Sequence, residues 1–215
     1  SRGDAEKAAE IIGALAAEKP GVASYRLQFG HSLLQQGDKK GAAREFQACL
    51  DLSSEEPEAA HFLAICEESG LKRAAPGYVR QVFDEYAATF DSDLQGNLGY
   101  QTPLLMEALA DSHGVSARRA MDLGCGTGLV GARFRSRCGW LCGVDLSPKM
   151  LAAAREKGIY DLLLEEDLLS ALDRENQFDL LLAGDVLNYL GDLGPVFSAA
   201  FHSLSPGGLF LFSTE

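Results

Sequence analysis

The stretch Ala120-Met121-Asp122-Leu123-Gly124-Cys125-Gly126-Thr127-Gly128-Leu129 decides the fold, because it indicates a short buried strand followed by a glycine-rich turn that opens a helix. Glycines at alternate positions remove the Cβ atoms that would keep a ligand away from the main chain. Free N–H groups then face the ligand at the positive end of the helix dipole. The stretch therefore predicts a binding site for a molecule that carries a carboxylate or a phosphate and lies against the backbone.

Two kinds of ligand fit this turn. The spacing Gly126-x-Gly128-x-x-Gly131, followed by Asp145, satisfies the G-x-G-x-x-G pattern of dinucleotide sites. The spacing Asp122-x-Gly124-x-Gly126-x-Gly128 satisfies the acidic-x-G-x-G-x-G pattern of S-adenosylmethionine sites. A carboxylate two residues before the first glycine suits a ligand with an ammonium group, which favours S-adenosylmethionine. A dinucleotide-dependent oxidoreductase remains an alternative.

The composition argues against nucleic acid as a partner. The chain has 215 residues, 47% of them hydrophobic, and a formal net charge of −12. Nucleic-acid binders need a cationic face to displace counterions from phosphates. The length allows one large domain or a medium and a small one.

The cysteines and the lengths of the apolar runs indicate the cellular compartment of the protein. The five cysteines contain no C-x-x-C pair, and no histidine cluster accompanies them, so we expect no metal site and no disulfide framework. Neither a membrane-spanning run nor a signal peptide is expected. These features favour a reducing compartment, the cytoplasm.

Residues 1–70 have a helical pattern that repeats every 34 residues, as between Gly30 and Ala64 or between Ile12 and Phe46. This period, with small residues where helices cross, resembles the tetratricopeptide repeat, although the early Trp of that family is replaced by Arg26. Such repeats recruit peptides or other domains, so a protein partner is one expectation. A helical region that only caps the next domain is the alternative.

The segment 71–77 reads as a linker, because its Gly and Pro residues interrupt the helical pattern. An apolar helical stripe follows, within Val82-Phe83-Asp84-Glu85-Tyr86-Ala87-Ala88-Thr89-Phe90-Asp91, and then a turn is expected at Asn97-Leu98-Gly99. Tyr86 and Tyr100 are candidates for a lid, since each carries a hydroxyl on an otherwise apolar surface. A core role for the same aromatic residues is the alternative.

Strands and helices alternate from residue 118 onward. We expect strands at 120–123, 141–145, 161–164, 178–183 and 209–213, with Pro206-Gly207 as a turn before the last. Ser147-Pro148 predicts a helix start, and Phe197, Ala200, Phe201 and Leu204 are expected on one face of the last helix. The alternation predicts a parallel sheet covered by helices, with ligands at the carboxyl ends of the strands.

The ordered motifs D-L-G-C-G-T-G, G-V-D-L-S-P-K-M-L, E-E-D-L-L, F-D-L-L-L-A-G-D-V-L-N-Y-L and L-S-P-G-G-L-F-L-F-S resemble those of the class I S-adenosylmethionine-dependent methyltransferases. The small-molecule branch with biotin-synthesis and ubiquinone-type enzymes is the most similar. The resemblance covers 78–215 and implies a Rossmann-like α/β domain, S-adenosyl-L-methionine as cofactor, and a small-molecule or protein methyl acceptor. It also implies seven strands, whereas the motifs account for five, so we expect an open or truncated sheet edge.

The resemblance implies a cofactor role for fourteen residues. The turn and Asp122 would hold the methionyl end, Asp145 the ribose, Leu146, Met150, Asp167 and Leu168 the adenine, and the end of the fourth strand would face the sulfonium. The full set is Tyr86, Asp122, Gly124, Cys125, Gly126, Gly128, Asp145, Leu146, Met150, Asp167, Leu168, Ala183, Gly184 and Asp185. No catalytic base stands out, and no metal is expected. A non-catalytic adaptor with a vestigial cofactor domain is the second hypothesis.

Overall fold

The computed structural model describes residues 2–67, 75–94, 100–174 and 177–214, with side chains from residue 10 onward. It divides into two compact units, residues 1–78 and 79–215. The predicted turn at 97–99 and most of the predicted linker lie outside the described residues. Within the described part, no helix is long and apolar enough to cross a membrane.

The first unit consists of helices, each of which packs against the next one in the chain. They are α1 (Arg2–Glu18), α2 (Ala23–Gln35), α3 (Lys39–Leu52) and α4 (Pro57–Cys66), and α5 (Pro76–Tyr86) begins at the end of this unit. Phe46 is fully buried at its centre together with Ala42 and Ala59. A Cβ on Gly30 would lie 2.6 Å from the Phe46 ring, so the glycine lets α2 and α3 approach closely.

The second unit is a parallel five-stranded sheet in the order β3-β2-β1-β4-β5. Its strands are β1 (Ala117–Leu123), β2 (Cys138–Asp145), β3 (Leu162–Glu165), β4 (Phe178–Ala183) and β5 (Leu204–Phe212). The chain moves outward from β1 to β3 and then returns to the other side of β1. The switch point between β1 and β4 is where an open α/β sheet forms its ligand crevice.

Helices cover both faces of this sheet. In chain order they are α6 (Phe90–Ser92), α7 (Thr102–Ser112), α8 (Leu129–Phe134), α9 (Pro148–Glu156), α10 (Leu168–Arg174) and α11 (Gly194–Ser203). Met121 and Leu123 pack in one buried cluster with α10 and α11, whereas Ala120 packs in another with α7 and α8. Because side chains alternate along a strand, Asp122 shares the α7/α8 face with Ala120.

The structure corrects two sequence-based details. Phe197 and Phe201 on α11 are 37% and 77% exposed, because Val196, Ala200 and Ser203, at helical spacing, form the buried face instead. Strand β5 begins at Leu204, five residues before the prediction, and the irregular pairing with β4 falls where Gly207 adopts φ +82°. The fourth strand, Phe178–Ala183, coincides with its prediction.

Candidate active site

The glycine turn after β1 needs glycine for its backbone conformation. Gly124, Gly126 and Gly128 have φ values of +62°, +53° and +92°, in the left-handed region that other residues rarely adopt. A Cβ on Gly124 would lie 2.3 Å from Val186, which follows β4, so the two sides of the crevice are in close contact there. Among the described residues, a Cβ on Gly126 would meet only the Phe90 ring, at 3.8 Å, so this backbone is open to a ligand.

Asp122 lies beneath the turn as a buried carboxyl group, with 1% of its surface exposed. Its Oδ2 accepts a 2.6 Å hydrogen bond from the Tyr160 hydroxyl, and its carboxylate also accepts the Gly131 N–H. Burial raises the pKa of Asp122 to about 7, although the two hydrogen bonds act in the opposite direction. The group is therefore poised to ionise fully when a cation arrives beside it.

Tyr160 was missed by the sequence analysis, although it completes this arrangement. Its hydroxyl would lie 2.2 Å from a Cβ on Gly131, so glycine is required there to let the phenol reach Asp122. The third glycine of the apparent dinucleotide pattern therefore has a different structural reason in this chain. The sequence alone does not indicate that Gly131 on α8 and Tyr160, just before β3, lie against each other.

Asp145 ends β2 beside the turn. Its Oδ2 accepts the Gly126 N–H and its Oδ1 accepts the Ser147 N–H, each at 2.8 Å. Burial raises the pKa of Asp145, and the backbone N–H groups oppose this rise. The Leu146 N–H also bonds to this carboxylate, which keeps an acceptor site for a hydroxyl donor.

The residues predicted to contact adenine follow β2 and β3. Leu146 is half-buried next to Asp145, whereas Met150 is fully buried, so its side chain has no surface to offer a ligand in this conformation. Asp167 accepts the Leu169 N–H at 2.9 Å near the start of α10, and the Leu168 side chain packs in the core.

The end of β4 lies across the crevice from the glycine turn. Ala183 is fully buried, and a Cβ on Gly184 would lie 2.7 Å from Val130, so there is no room for a side chain there. Asp185 then adopts φ +53°, which is uncommon for a residue other than glycine. Its N–H donates to Ser213 Oγ at 2.7 Å, and the Ser213 hydroxyl donates back to Asp185 Oδ1.

Tyr100 joins the same group of side chains. Its phenol is hydrogen-bonded to the Asp185 carboxylate and to Thr102. Burial, followed by the charge of Asp185, raises the pKa of Tyr100. The ring also lines a cavity of about 470 Å³ between α7 and α8.

The segment 83–91 lies against the glycine turn and the start of α9. Phe90 contacts Tyr86, with ring centroids 5.2 Å apart, and reaches towards Gly126. The Ser147 hydroxyl donates to Asp84 Oδ1 at 2.5 Å. The structure thus brings the segment with the lid candidate Tyr86 next to the predicted binding turn.

A three-residue network, also missed by the sequence analysis, fixes this segment further. Lys157 Nζ lies 2.7 Å from Asp91 Oδ2 and 3.3 Å from Thr127 Oγ1. The Thr127 hydroxyl donates to Asp91 as well. Carboxylates thus dominate the crevice, which suits a ligand with positive charge.

Comparison with known proteins relates the residues of this site to a protein family. A family model described as a methyltransferase domain matches residues 121–212. This part of the chain therefore resembles a methyltransferase domain. The match contains the glycine turn, Asp145 and the end of β4, and it confirms the predicted Rossmann-like fold with a parallel sheet.

Individual proteins resemble the methyltransferase domain at moderate identity. The ubiquinone biosynthesis O-methyltransferase of Xylella fastidiosa is 28% identical over 159 residues, covering 68% of this chain and 63% of that protein. The malonyl-[acyl-carrier protein] O-methyltransferase of Erwinia pyrifoliae is 33% identical over 99 residues, covering 46% and 38%. The chain thus spans less than two thirds of the length of these curated relatives.

A solved structure agrees with the fold of the methyltransferase domain. An S-adenosylmethionine-dependent methyltransferase from Clostridium acetobutylicum superposes with a TM-score of 0.50 at 26% identity, over 61% of this chain and 56% of that one. None of the matches described here supports the tetratricopeptide resemblance of the first unit.

Proposed function

We propose that this protein is an S-adenosylmethionine-dependent methyltransferase. The observation that carries the proposal is the turn of three left-handed glycines, with the buried Asp122 beneath it and Asp145 bonded to its central N–H. The three similar proteins described above are all methyltransferases, which supports the same activity. The cofactor supplies a methyl group on a sulfonium, which is already a good leaving group.

The residues of the chain would bind and orient the cofactor. Asp122 and the glycine turn would hold the ammonium and carboxylate of the methionyl end, and Asp145 would accept the ribose hydroxyls. Leu146 would contact adenine, with Asp167 and the Leu168 N–H at its edge. Holding both reactants in line is the main contribution that such an enzyme makes, worth about 7–11 kcal/mol of the barrier at best.

A direct test is calorimetry with S-adenosylhomocysteine. We expect micromolar affinity for the full chain and loss of binding in Asp145→Ala. Asp173→Ala, on the exposed surface of α10, is the matched control and should bind normally. Absence of binding to the unmodified chain would remove the proposal, and a thermal shift with NAD alone would favour an oxidoreductase.

We infer from the relatives that the methyl acceptor is a small molecule. Both curated relatives are named O-methyltransferases, one of ubiquinone biosynthesis and one of a malonyl carrier protein. A protein acceptor is the alternative, and the second of these names is compatible with it. Labelled cofactor offered separately to small-molecule and protein fractions distinguishes the two.

We also propose that residues 1–70 form tetratricopeptide-like repeats that recruit a partner, that 71–77 is a linker, and that 78–215 is the cofactor domain. The close crossing of α2 and α3 at Gly30 and Phe46 supports the repeat interpretation. A cytoplasmic location is part of the proposal, and the five free cysteines support it. Partner binding without any cofactor affinity would instead favour a non-catalytic adaptor.

A further inference from the structure

Asp185 lies just after β4, where the resemblance places the sulfonium, and its carboxylate has so far been given no bond to the cofactor. Asp185 follows Gly184 directly and adopts φ +53°, a conformation that aspartate tolerates better than most residues. Uncommon backbone conformations of this kind persist only where the surrounding structure enforces them, and they concentrate at functional sites. The question is what enforces this one.

Ser213, at the end of the neighbouring strand, enforces it from two sides. The Asp185 N–H donates to Ser213 Oγ at 2.7 Å, and the Ser213 hydroxyl donates to Asp185 Oδ1. The Ser213 N–H is itself bonded to the Ala183 carbonyl at 3.0 Å. One serine therefore fixes both the backbone and the carboxylate of Asp185.

Tyr100 connects this carboxylate to the cavity between α7 and α8. Its phenol is bonded to Asp185, and its ring lines a cavity of about 470 Å³ together with Leu104 and Leu129. This volume is in the range of small-molecule sites. The two cations of the wall are paired, Lys157 with Asp91 at 2.7 Å and Arg133 with Glu107 at 3.2 Å.

We propose that Asp185 receives the proton of the methyl acceptor, that Ser213 and Tyr100 position it, and that the acceptor is a neutral small molecule with a hydroxyl group, bound in the cavity beside Tyr100. The inference rests on the proposed methyltransferase function. It adds a catalytic base, which the sequence did not reveal, and a class of acceptor.

The proton balance is complete with the groups named. The acceptor oxygen forms the new O–CH₃ bond, the C–S bond breaks, and sulfur keeps its electron pair. The O–H proton passes to the Asp185 carboxylate and then to solvent. A strong base is not required, because an oxygen that is being alkylated while it still carries its proton becomes far more acidic than a carboxylic acid.

The surroundings favour a hydroxyl over an amine. Asp185 already accepts two O–H donors, from Ser213 and Tyr100, and a carboxylate has sites for further donors. An amine is protonated at neutral pH, and a neighbouring carboxylate stabilises that unreactive ammonium form. Because Lys157 and Arg133 are paired, the described residues of the cavity wall also offer no uncompensated cation for an anionic acceptor.

The test combines the full chain with cofactor carrying a ¹³C-labelled methyl group and a deproteinised small-molecule extract. Heteronuclear NMR separates O-methyl, N-methyl and C-methyl products by their carbon shifts. We expect an O-methyl product, reduced at least 100-fold in Asp185→Asn, a fold-change typical of lost acid–base catalysis. Asparagine also tolerates the left-handed conformation, so the backbone should be kept.

Variants of the positioning residue sharpen the test. Ser213→Ala should lower kcat roughly 10-fold with KM little changed, and Ser213→Thr, which keeps the hydroxyl, should restore it. Affinity for S-adenosylhomocysteine should stay within about threefold in the two Ser213 variants, as in the control Asp173→Asn. With S-adenosylhomocysteine present, phenol should bind more tightly than anisole, and Asp185→Asn should reduce this preference.

The outcomes distinguish a failure of the proposed methyltransferase function from a failure of the role proposed for Asp185. A chain that fails to bind S-adenosylhomocysteine refutes the proposed function itself. A chain that binds it but yields an N-methyl or C-methyl product, or no product, overturns the present inference. An O-methyl product that Asp185→Asn leaves unchanged, or equal binding of phenol and anisole, overturns it as well.

Discussion

The Tyr160 hydroxyl donates a 2.6 Å hydrogen bond to Oδ2 of Asp122, a carboxyl group whose surface is 1% exposed. Burial raises the pKa of this group from 3.8 to about 7 in the folded protein. A carboxyl group with a raised pKa binds more protons in the folded than in the unfolded state. Its contribution to stability is therefore lost as the pH rises from about 4 to about 7.

Asp122→Asn should stabilise the ligand-free protein and weaken cofactor binding. Asparagine keeps the shape and an acceptor for Tyr160, but it carries no charge to desolvate. We expect the gain in unfolding free energy to be larger at pH 8 than at pH 5.5 by on the order of 2 kcal/mol. Urea unfolding at the two pH values measures it, and an equal effect at both would contradict the raised pKa.

Binding of S-adenosylhomocysteine should depend on pH through the same carboxyl group. Because an ammonium requires the ionised form of Asp122, affinity should fall up to about tenfold per unit below pH 7, with proton release on binding. Tyr160→Phe removes a hydrogen bond that lowers the pKa of Asp122, so the midpoint should move to higher pH. Calorimetry in buffers of different ionisation enthalpy counts the protons.

The control for this pH dependence is the Asp122→Asn variant. Burial also raises the pKa of Asp145, so part of the dependence belongs to that residue. Any affinity that remains in Asp122→Asn reports Asp145 alone. A wild-type affinity that is constant between pH 6 and pH 8 would exclude the assigned role of Asp122.

The strand–helix alternation and the turn were predictable because each depends on local sequence. Strand β4 is a largely apolar run. The helix start at Ser147-Pro148 depends only on residues close in the sequence, because the Ser147 side chain accepts the Met150 N–H. The Tyr160–Asp122 contact joins residues 38 positions apart. No spacing rule connects an aromatic residue ahead of β3 with an acid in β1, so this part of the site required coordinates.

The exposure of Phe201 shows where a local sequence pattern leads to a wrong prediction. An aromatic residue next to an apolar stripe is assigned to the buried face by its hydrophobicity, yet one residue along a helix turns the side chain by about 100°. Val196 and Ala200 occupy the buried face, and Phe201 is left outside. The roles of the fourteen predicted cofactor residues remain predictions that the binding experiments address.

Ser147 links the start of α9 to the segment 83–91 and should couple their stabilities. Its Oγ accepts the Met150 N–H at 3.0 Å and donates to Asp84 at 2.5 Å. Ser147→Ala should cost about 1–2 kcal/mol through loss of the cap. In a double-mutant cycle with Asp84→Ala, we expect a coupling energy of about 1 kcal/mol, measured by urea unfolding.

Ser112→Ala is the control for that cycle, because Ser112 is exposed on α7 and its hydroxyl bonds only within its own helix end. It should change the unfolding free energy by less than about 0.5 kcal/mol. Additive effects of Ser147→Ala and Asp84→Ala would show that their hydrogen bond does not couple the two elements.

In the first unit, Gly30→Ala should destabilise the protein although alanine favours helices. The intrinsic gain is about 1 kcal/mol, but the new Cβ would lie 2.6 Å from the fully buried Phe46 ring. Overpacking of this kind costs about 1–3 kcal/mol, so the net change should be unfavourable. Hydrogen exchange of the α2 and α3 amides in the full chain measures this loss of stability locally.

Phe46→Leu should partly suppress the Gly30→Ala defect, because the shorter side chain vacates the space that the Cβ needs. The double variant should therefore be more stable than the sum of the single changes predicts. Gly21→Ala is the matched control, since a Cβ there meets no atom within 4 Å, and it should leave the exchange rates unchanged. Additivity of Gly30→Ala and Phe46→Leu would mean that α2 and α3 separate to admit the methyl group, so their close crossing would not stabilise the unit.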